Sequence, residues 1–259
     1  MVTKIREDLL EMFSDLRFDE ARHMYFVNGE NYPSVSKKLE EHYQKFIKEE
    51  WLPRCAEKES REQGRVVTEQ ELEKKWDNKR DEACDRGHDT HSFCEHYRPG
   101  KEYLANTPQK RAGLKFLQDI IYCENPRYVV LLQEYKMINR VFKYCGTTDL
   151  LLWDTWTQTI VIVDYKTNED LFKTYGYLKP PFDNFSSNPF NKYQLQFTYY
   201  QLMIEQSKYK VSERWLVYLD MEENYTIHKT QDLTKELTQF LSNPAECSQP
   251  AITGYGLVW

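Results

Sequence analysis

The fold is decided by the stretch GTTDLLLWDTWTQTIVIVDYK, which runs from Gly146 to Lys166. Its two halves are apolar and rich in Ile, Val, Thr and Trp, residue types that are common in β-strands. Residues 155–158 separate the halves by the length of a common hairpin loop. The stretch therefore predicts two adjacent antiparallel strands.

The predicted pairing brings two acids and an amine together. Facing residues of an antiparallel pair have numbers with a constant sum, which is 313 if Asp154 faces Thr159. Asp149 and Asp164 then face each other, with Cβ atoms roughly 4.5–5.5 Å apart. Lys166 follows Asp164 by two residues and projects from the same face.

Two carboxylates at this separation repel each other, and apolar strand neighbours solvate them poorly. A divalent cation between them would offset the repulsion, and oxygen ligands of this kind suit Mg²⁺ or Mn²⁺. The alternative is that Asp149 caps a turn while Asp164 and Lys166 form an exposed pair at a strand end. A register shift of one residue would favour that alternative, because it moves the aspartates to opposite faces.

The pattern Gly146-x-x-Asp149 followed by an apolar strand and Asp164-x-Lys166 resembles the PD-(D/E)xK nuclease superfamily, in its RecB-type exonuclease branch. The segment 23–35 is similar to phage- or virus-type members of that branch. The resemblance implies an α/β (α+β) fold with a restriction-endonuclease-like core, in which helices flank a central mixed β-sheet.

The resemblance also assigns roles outside the hairpin. In the segment 86–91 it implies that His91 binds the metal, with His88 as the competing histidine. The other metal ligands it implies are Asp149, Asp164 and the backbone carbonyl of Tyr165.

Two residues on a predicted helix and two further acids complete the candidate site. Gln196 and Tyr200 lie four residues apart and so share a helix face; the resemblance gives them contact with the phosphate backbone or orientation of Lys166. Glu95 is either a partner of His91 or a surface acid. Glu134, in the strand before the hairpin, is a further acid that could face the site.

The chain reads as a single nuclease domain over residues 1–259. Residues 1–125 form a mainly helical N-terminal part with a hairpin near 23–32, and residues 126–245 form the catalytic sheet-and-helix core. The predicted strands of the core are Tyr128–Asn139, Phe142–Trp153, Thr159–Tyr165, Arg214–Asp220 and Tyr225–Lys229. The predicted helices run from Ser34 to Glu50, from Thr68 to Tyr97 with a bend or break at Gly87, from Lys110 to Tyr122, from Lys192 to Ser207, and from Asp232 to Leu241.

Composition limits where such a protein works. A net charge of -6 argues against a uniformly basic coat for nucleic acid but allows a local basic groove. Residues 1–16 do not form a secretory signal, and no apolar run approaches the ~20 residues that cross a bilayer. We expect a soluble, intracellular, cytoplasmic protein without a membrane partner, in the host cytoplasm if it is phage-encoded.

Cysteine and glycine patterns exclude two accessory functions. Relatives with an iron–sulfur cluster carry a C-terminal cysteine trio, whereas only Cys247 lies near this C-terminus, so no iron–sulfur cluster is expected. The sequence has no Walker A loop, so any helicase or recombination protein would be a separate partner.

The function implied is a Mg²⁺-dependent deoxyribonuclease, expected to be an exonuclease that leaves 5′-phosphates in DNA recombination, repair or degradation. The alternatives are a catalytically silent nuclease-fold protein that binds DNA or another protein, and a nuclease that acts on RNA. Basic residues expected to contact DNA phosphates are Lys74, Lys75, Lys79, Arg80, Arg86, Lys173, Lys179 and Lys192. Aromatic residues that would either stack on a single strand or pack their loop onto the sheet are Tyr175, Tyr177, Phe182, Phe185 and Phe190.

Overall fold

The computed structural model describes residues 1–22 and 24–244, so His23 and Cys247 lie outside it. This part of the chain is mixed α/β, with seven α-helices, a five-stranded mixed sheet and a three-stranded sheet. The helices are α1 (Val2–Met12), α2 (Val35–Leu39), α3 (Lys48–Gln63), α4 (Glu69–His96), α5 (Pro108–Phe116), α6 (Pro189–Ile204) and α7 (Thr234–Ser242). The strands are β1 (Leu16–Asp19), β2 (Met24–Val27), β3 (Glu30–Tyr32), β4 (Tyr128–Asn139), β5 (Tyr144–Asp154), β6 (Thr159–Lys166), β7 (Val211–Leu219) and β8 (Tyr225–Lys229).

The small sheet contains the predicted N-terminal hairpin. Asn28 and Gly29 connect β2 to β3 with φ angles of 50° and 85°, the left-handed backbone that a two-residue hairpin turn of this kind requires. The strand β1, which the sequence analysis did not predict, pairs with β2 from Leu16–Val27 to Asp19–Met24. The hairpin is therefore the centre of a three-stranded antiparallel sheet.

The large sheet has the strand order β4-β5-β6-β7-β8. β4, β5 and β6 form an antiparallel meander, α6 crosses the sheet, and β7 then pairs in parallel with β6. The β5–β6 pairs run from Asp154–Thr159 to Leu150–Val163, so the predicted register is confirmed. The parallel pair places the C-terminal ends of β6 and β7 at one edge, where open α/β sheets commonly bind ligands.

Side-chain alternation divides the core into two layers. Leu151 and Ile162 pack on the side of α6, whereas Leu150 and Val163 pack on the side of α4 and α5. Asp164 follows Ile162 by two residues and therefore lies on the α6 side. Asp149 precedes Leu151 by two residues and shares that side.

The helix α4 is continuous through Gly87, so a break there, one of the two predicted outcomes, is wrong. A glycine inside a helix costs only about 1 kcal/mol relative to alanine, too little to break 28 residues that also pack on the core. The Thr68 hydroxyl caps α4 by accepting the Glu71 N–H at 3.2 Å. The Glu71 side chain pairs with Arg65.

The predicted helix from Ser34 to Glu50 is also wrong in extent. Ser34 does cap a helix, because its hydroxyl accepts the Lys37 N–H at 3.2 Å. This helix ends at Leu39, a 3₁₀ turn covers Glu40–His42, and α3 begins only at Lys48. None of the helices in residues 1–22 and 24–244 is long and apolar enough to cross a membrane.

Candidate active site

The two predicted aspartates lie where β5 and β6 part. The last regular pair of the two strands is Leu150–Val163, one step before the aspartates. Beyond it, Asp149 Oδ2 accepts the backbone N–H of Tyr165 at 2.7 Å. Asp149 is therefore fixed to β6 by its side chain, and its carboxylate and that of Asp164 lie on the same side of the sheet.

His91 of α4 approaches this end of the hairpin. Its Nδ1 lies 3.2 Å from Asp149 Oδ2. Gly87, one turn earlier, lies beside the residue that follows β6: a Cβ atom there would make an ordinary contact of 3.6 Å with Thr167 Oγ1. His88 is exposed and lines a neighbouring cleft, so His91 is the histidine that meets Asp149.

Lys166 and Asp164 form a buried ion pair. Lys166 Nζ donates to Asp164 Oδ2, and the two side chains are only 14% and 4% exposed. The same Nζ lies 4.5 Å from the ring centroid of Tyr193 on α6. The Tyr193 hydroxyl donates to Asn168 Oδ1 at 3.0 Å. The lysine is thus held between a carboxylate and an aromatic face.

The charges of this cluster depend on one another. Burial and the nearby Asp149 carboxylate raise the pKa of Asp164 to about 6, although Lys166 opposes the shift. Burial alone would raise the pKa of Asp149, but His91, Lys166 and the Tyr165 N–H together outweigh burial and lower that pKa. Burial would likewise lower the pKa values of His91 and Lys166, and the carboxylates reverse both shifts. The carboxylates of the cluster therefore favour the charged forms of His91 and Lys166.

Glu134 lies on the strand next to Asp149. Its neighbours Gln133 and Tyr135 pair with Leu150 and Thr148, so Glu134 comes opposite Asp149, but with a left-handed φ of 44°. Such a backbone is strained in a strand residue other than glycine, and strained residues concentrate at functional sites. Burial, followed by the charges of Asp149 and Glu95, raises the pKa of Glu134 to about 7.

A cleft of about 900 Å³ opens beside these acids. Glu95 and Glu134 line it on the side of the large sheet, and residues of the small sheet, including Phe18 and Tyr25, line it on the other. Glu95 has its nearest charged contact with His96 at 3.6 Å, not with His91. Its carboxylate therefore belongs to the wall of the cleft.

No protein-family model matches this chain, and no curated protein matches its sequence.

The helix pair Gln196 and Tyr200 lies next to the cluster. Gln196 Nε2 donates to the Tyr200 hydroxyl at 2.7 Å. The Tyr200 ring packs on Gly146, where a Cβ atom would come within 2.8 Å of it. The side chain that touches Lys166 is Tyr193, which the sequence analysis did not select. The sequence could have indicated Tyr193, because positions 193, 196 and 200 share one face of a helix.

The donor set fits a hard divalent cation in its chemistry. Asp149 and Asp164 offer carboxylate oxygens and His91 an imidazole nitrogen, the ligand types that Mn²⁺ or Mg²⁺ accepts. Among residues 1–22 and 24–244, however, no three His, Cys, Asp or Glu side chains are grouped as ligands of one ion. Burial, followed by the charge of Asp149, raises the pKa of Asp164 despite Lys166 and His91, so these two cations do not fully compensate its buried carboxylate. Additional positive charge would therefore be stabilised here.

The predicted basic strip on α4 is partly neutralised. Lys75 pairs with Glu59, Lys79 with Glu169, and Arg80 with Asp77 and Asp81. These pairs offset three of the five predicted basic residues of this helix, whereas Lys74 and Arg86 form no ion pair within residues 1–22 and 24–244.

The aromatic residues of the insertion 167–191 divide between the two expectations. Phe182 is fully buried, and Phe185 and Phe190 pack against the core. Tyr175 and Tyr177 are instead 70% and 69% exposed. Packing therefore accounts for the three phenylalanines, whereas the two tyrosines remain open to solvent.

Proposed function

We propose that this chain is a Mg²⁺- or Mn²⁺-dependent nuclease that hydrolyses DNA phosphodiester bonds, as an exonuclease leaving 5′-phosphates. The observation that carries the proposal is the meeting of Asp149, Asp164, Lys166 and His91 at one end of the β5–β6 hairpin. These four residues are among those on which the resemblance to RecB-type nucleases rests. A restriction-endonuclease-like core is the finer fold that we propose, and the central mixed sheet flanked by helices is consistent with it.

The cation would be held by Asp149, Asp164 and His91, with the Tyr165 carbonyl added by the resemblance. When bound, it supplies Lewis-acid polarisation of a phosphate oxygen and a water of lowered pKa. The Tyr165 N–H fixes one Asp149 oxygen, which orients the carboxylate before substrate arrives. The contacts that Asp149 and Asp164 now make with His91 and Lys166 would rearrange on binding.

Lys166 acts as the charge-stabilising group in this proposal. Its raised pKa keeps the amine protonated at neutral pH, which favours donation to developing negative charge on the phosphate over removal of a proton from water. Tyr193 keeps the ammonium close to the carboxylates without neutralising it. DNA would reach this group through the cleft beside Glu95 and Glu134.

Cleavage of labelled single-stranded and duplex DNA and RNA, with Mg²⁺, Mn²⁺ or EDTA, tests the proposal. We expect DNA cleavage with either metal and none with EDTA. Asp164→Asn and Lys166→Ala should each lower the rate at least about 100-fold, the size of losing one preorganised charged group. Matched controls are Glu7→Gln on α1 and Lys235→Ala on α7, both exposed, which should cleave at the native rate.

The outcomes separate the alternatives. Cleavage of RNA but not of DNA would support the alternative that this chain is a nuclease acting on RNA. Binding of DNA without cleavage under any metal would support a silent nuclease-fold protein instead. If Asp164→Asn and Lys166→Ala, both folded, cut DNA as fast as the native chain, the site assignment is wrong.

A further inference from the structure

Two exposed aromatic rings stack on each other where α3 begins. Phe46 and Trp51 are 61% and 47% exposed, and their ring centroids lie 6.5 Å apart with planes inclined by only 21°. The ring centroids of Phe46 and of Trp76 on α4 lie 6.2 Å apart with the planes at 61°, so Trp76 supports the Phe46 ring from α4. The exposed faces of the pair are therefore surfaces on which a base can stack. We call Phe46 and Trp51 the aromatic slot.

A chain of contacts connects the aromatic slot to the catalytic cluster. Tyr43 lies three residues before Phe46, and Lys192 Nζ sits 4.3 Å from the centroid of its ring. Lys192 is adjacent on α6 to Tyr193, whose ring contacts Lys166. Neighbouring residues of α6 thus reach both the Tyr43 ring, close in sequence to the aromatic slot, and the ammonium of Lys166.

The insertion adds positive charge along this surface. The Lys179 N–H donates to the His42 carbonyl at 2.7 Å, which ties the insertion to the loop that leads into the aromatic slot. Lys173, Lys179 and Lys192 have no carboxylate within 4.0 Å in the described part of the chain, unlike the paired lysines of α4. Unpaired ammonium groups of this kind are complementary to a phosphodiester backbone.

The distances suit a short single strand. Trp76 and His91 are fifteen residues apart on α4, which places the aromatic slot about 22 Å from the cluster along the helix axis. Single-strand-binding proteins cover about 4–16 nucleotides per site with the same combination of aromatic platforms and basic groove. A duplex cannot use the slot in this way, because its bases are already stacked and paired.

We propose that the aromatic slot and the three unpaired lysines bind single-stranded nucleic acid, with one base stacked on the exposed face of Phe46 or Trp51, and lead the strand toward Lys166. Delivery to the cluster rests on the proposed function, whereas binding at the slot does not. Because α3 carries five acidic and four basic residues, stacking supplies most of the affinity. With about three phosphate contacts, log affinity should fall against log salt with a slope of only about -2.

Fluorescence anisotropy of a labelled oligothymidylate, with EDTA present to prevent cleavage, tests the proposal. Phe46→Ala and Trp51→Ala should each weaken single-strand binding by about 5- to 150-fold, the value of one stacked base. Trp51→Phe should retain most of the affinity, because it keeps a ring in place. The matched control is Trp156→Ala, since Trp156 is 76% exposed in the β5–β6 turn at the far end of the hairpin from Asp149.

Circular dichroism establishes whether each variant is folded. If Phe46→Ala does not fold, the comparison of Trp51→Ala with Trp51→Phe still shows whether an aromatic ring at this position contributes to single-strand binding. Unchanged affinity in the folded alanine variants overturns the proposal. The proposal is also overturned if the native chain binds no oligothymidylate. The same holds if the aromatic slot mediates self-association of the chain and not binding of the oligonucleotide. If binding depends on the aromatic slot but the protein does not cleave in Mg²⁺, only the proposed nuclease activity is refuted. If the protein cleaves and substitutions in the aromatic slot change neither cleavage nor binding, only the proposal for the aromatic slot is refuted.

Discussion

Glu134 is the residue where strain and charge repulsion coincide. Its pKa of about 7 lies above the ordinary value of 4.5, so the folded state favours the protonated form. The stability this contributes is complete below pH 4.5 and is lost as pH rises through 7. We therefore expect Glu134→Gln to raise the free energy of unfolding by about 1–3 kcal/mol at pH 8 and by much less at pH 5. Urea denaturation in EDTA at the two pH values measures the difference.

The same substitution separates stability from function at this position. A variant that is more stable but cleaves DNA more slowly would identify Glu134 as an acid kept for the site at a structural cost. Glu7→Gln, on an exposed position of α1, controls for loss of one negative charge and should show no pH-dependent gain. Equal stability of Glu134→Gln and the native chain at pH 8 would contradict the prediction.

At single residues, the sequence predicted those site members whose position depends on strand register. Asp149, Asp164 and Lys166 share a face because a constant pair sum and a two-residue repeat determine it, and the observed register agrees. Tyr193 was not predicted, since its contact with Lys166 joins α6 to β6 across an irregular insertion. The positive φ of Glu134 was not predicted either, because no local sequence pattern indicates a left-handed backbone at a strand residue other than glycine.

Among the elements, strands were easier to predict than helices. The strands β4 and β8 were predicted at their observed bounds, because aromatic and β-branched runs bounded by turns are specific signals. The helices α1 and α3 were not predicted. α3 carries nine charged residues and buries few side chains, so it lacks an apolar stripe that would reveal it. Its place depends on α4, which it packs against through Leu52 and Leu72.

The packing of α4 on α5 gives a prediction at the element scale. A Cβ atom at Gly113 would lie 2.6 Å from the buried Cys94 Sγ and 3.5 Å from Leu219. We expect Gly113→Ala to cost about 1–3 kcal/mol of unfolding free energy, because the short thiol side chain cannot move away. Chemical denaturation measures the loss. In a Cys94→Ala background the added methyl should cost clearly less, since the clashing sulfur is gone.

Gly87→Ala is the matched control on the same helix. A Cβ atom at Gly87 meets Thr167 Oγ1 at 3.6 Å, an ordinary contact. The substitution should therefore be neutral or stabilising by up to about 1 kcal/mol, the helix-propensity gain of alanine over glycine. Equal losses for Gly87→Ala and Gly113→Ala would mean that steric contact with Cys94 does not govern this packing.

For the whole molecule, the charge at one edge of the sheet differs from the average over the chain. The net charge is -6, yet three lysines without acidic partners in the described residues, Lys173, Lys179 and Lys192, lie on the insertion and α6. The parallel strand β7 places the sheet edge so that α4, α6 and the insertion all meet there. Local charge at one edge, not the average over the surface, is what a substrate would encounter.

A cation held at that edge would stabilise the whole fold, because ligand that binds only the native state adds to the free energy of unfolding. At a Mg²⁺ or Mn²⁺ concentration about 100 times the Kd, the gain is about 2.7 kcal/mol, or a rise in Tm of about 5–10 °C for a chain of this size. Thermal unfolding with metal and with EDTA measures it without any substrate. The Asp149→Asn and Asp164→Asn variants should lose the shift, while Glu7→Gln keeps it. The proposed cation site at the end of the β5–β6 hairpin would be contradicted if the native chain had the same Tm in metal and in EDTA. It would also be contradicted if the aspartate variants retained the full shift in Tm.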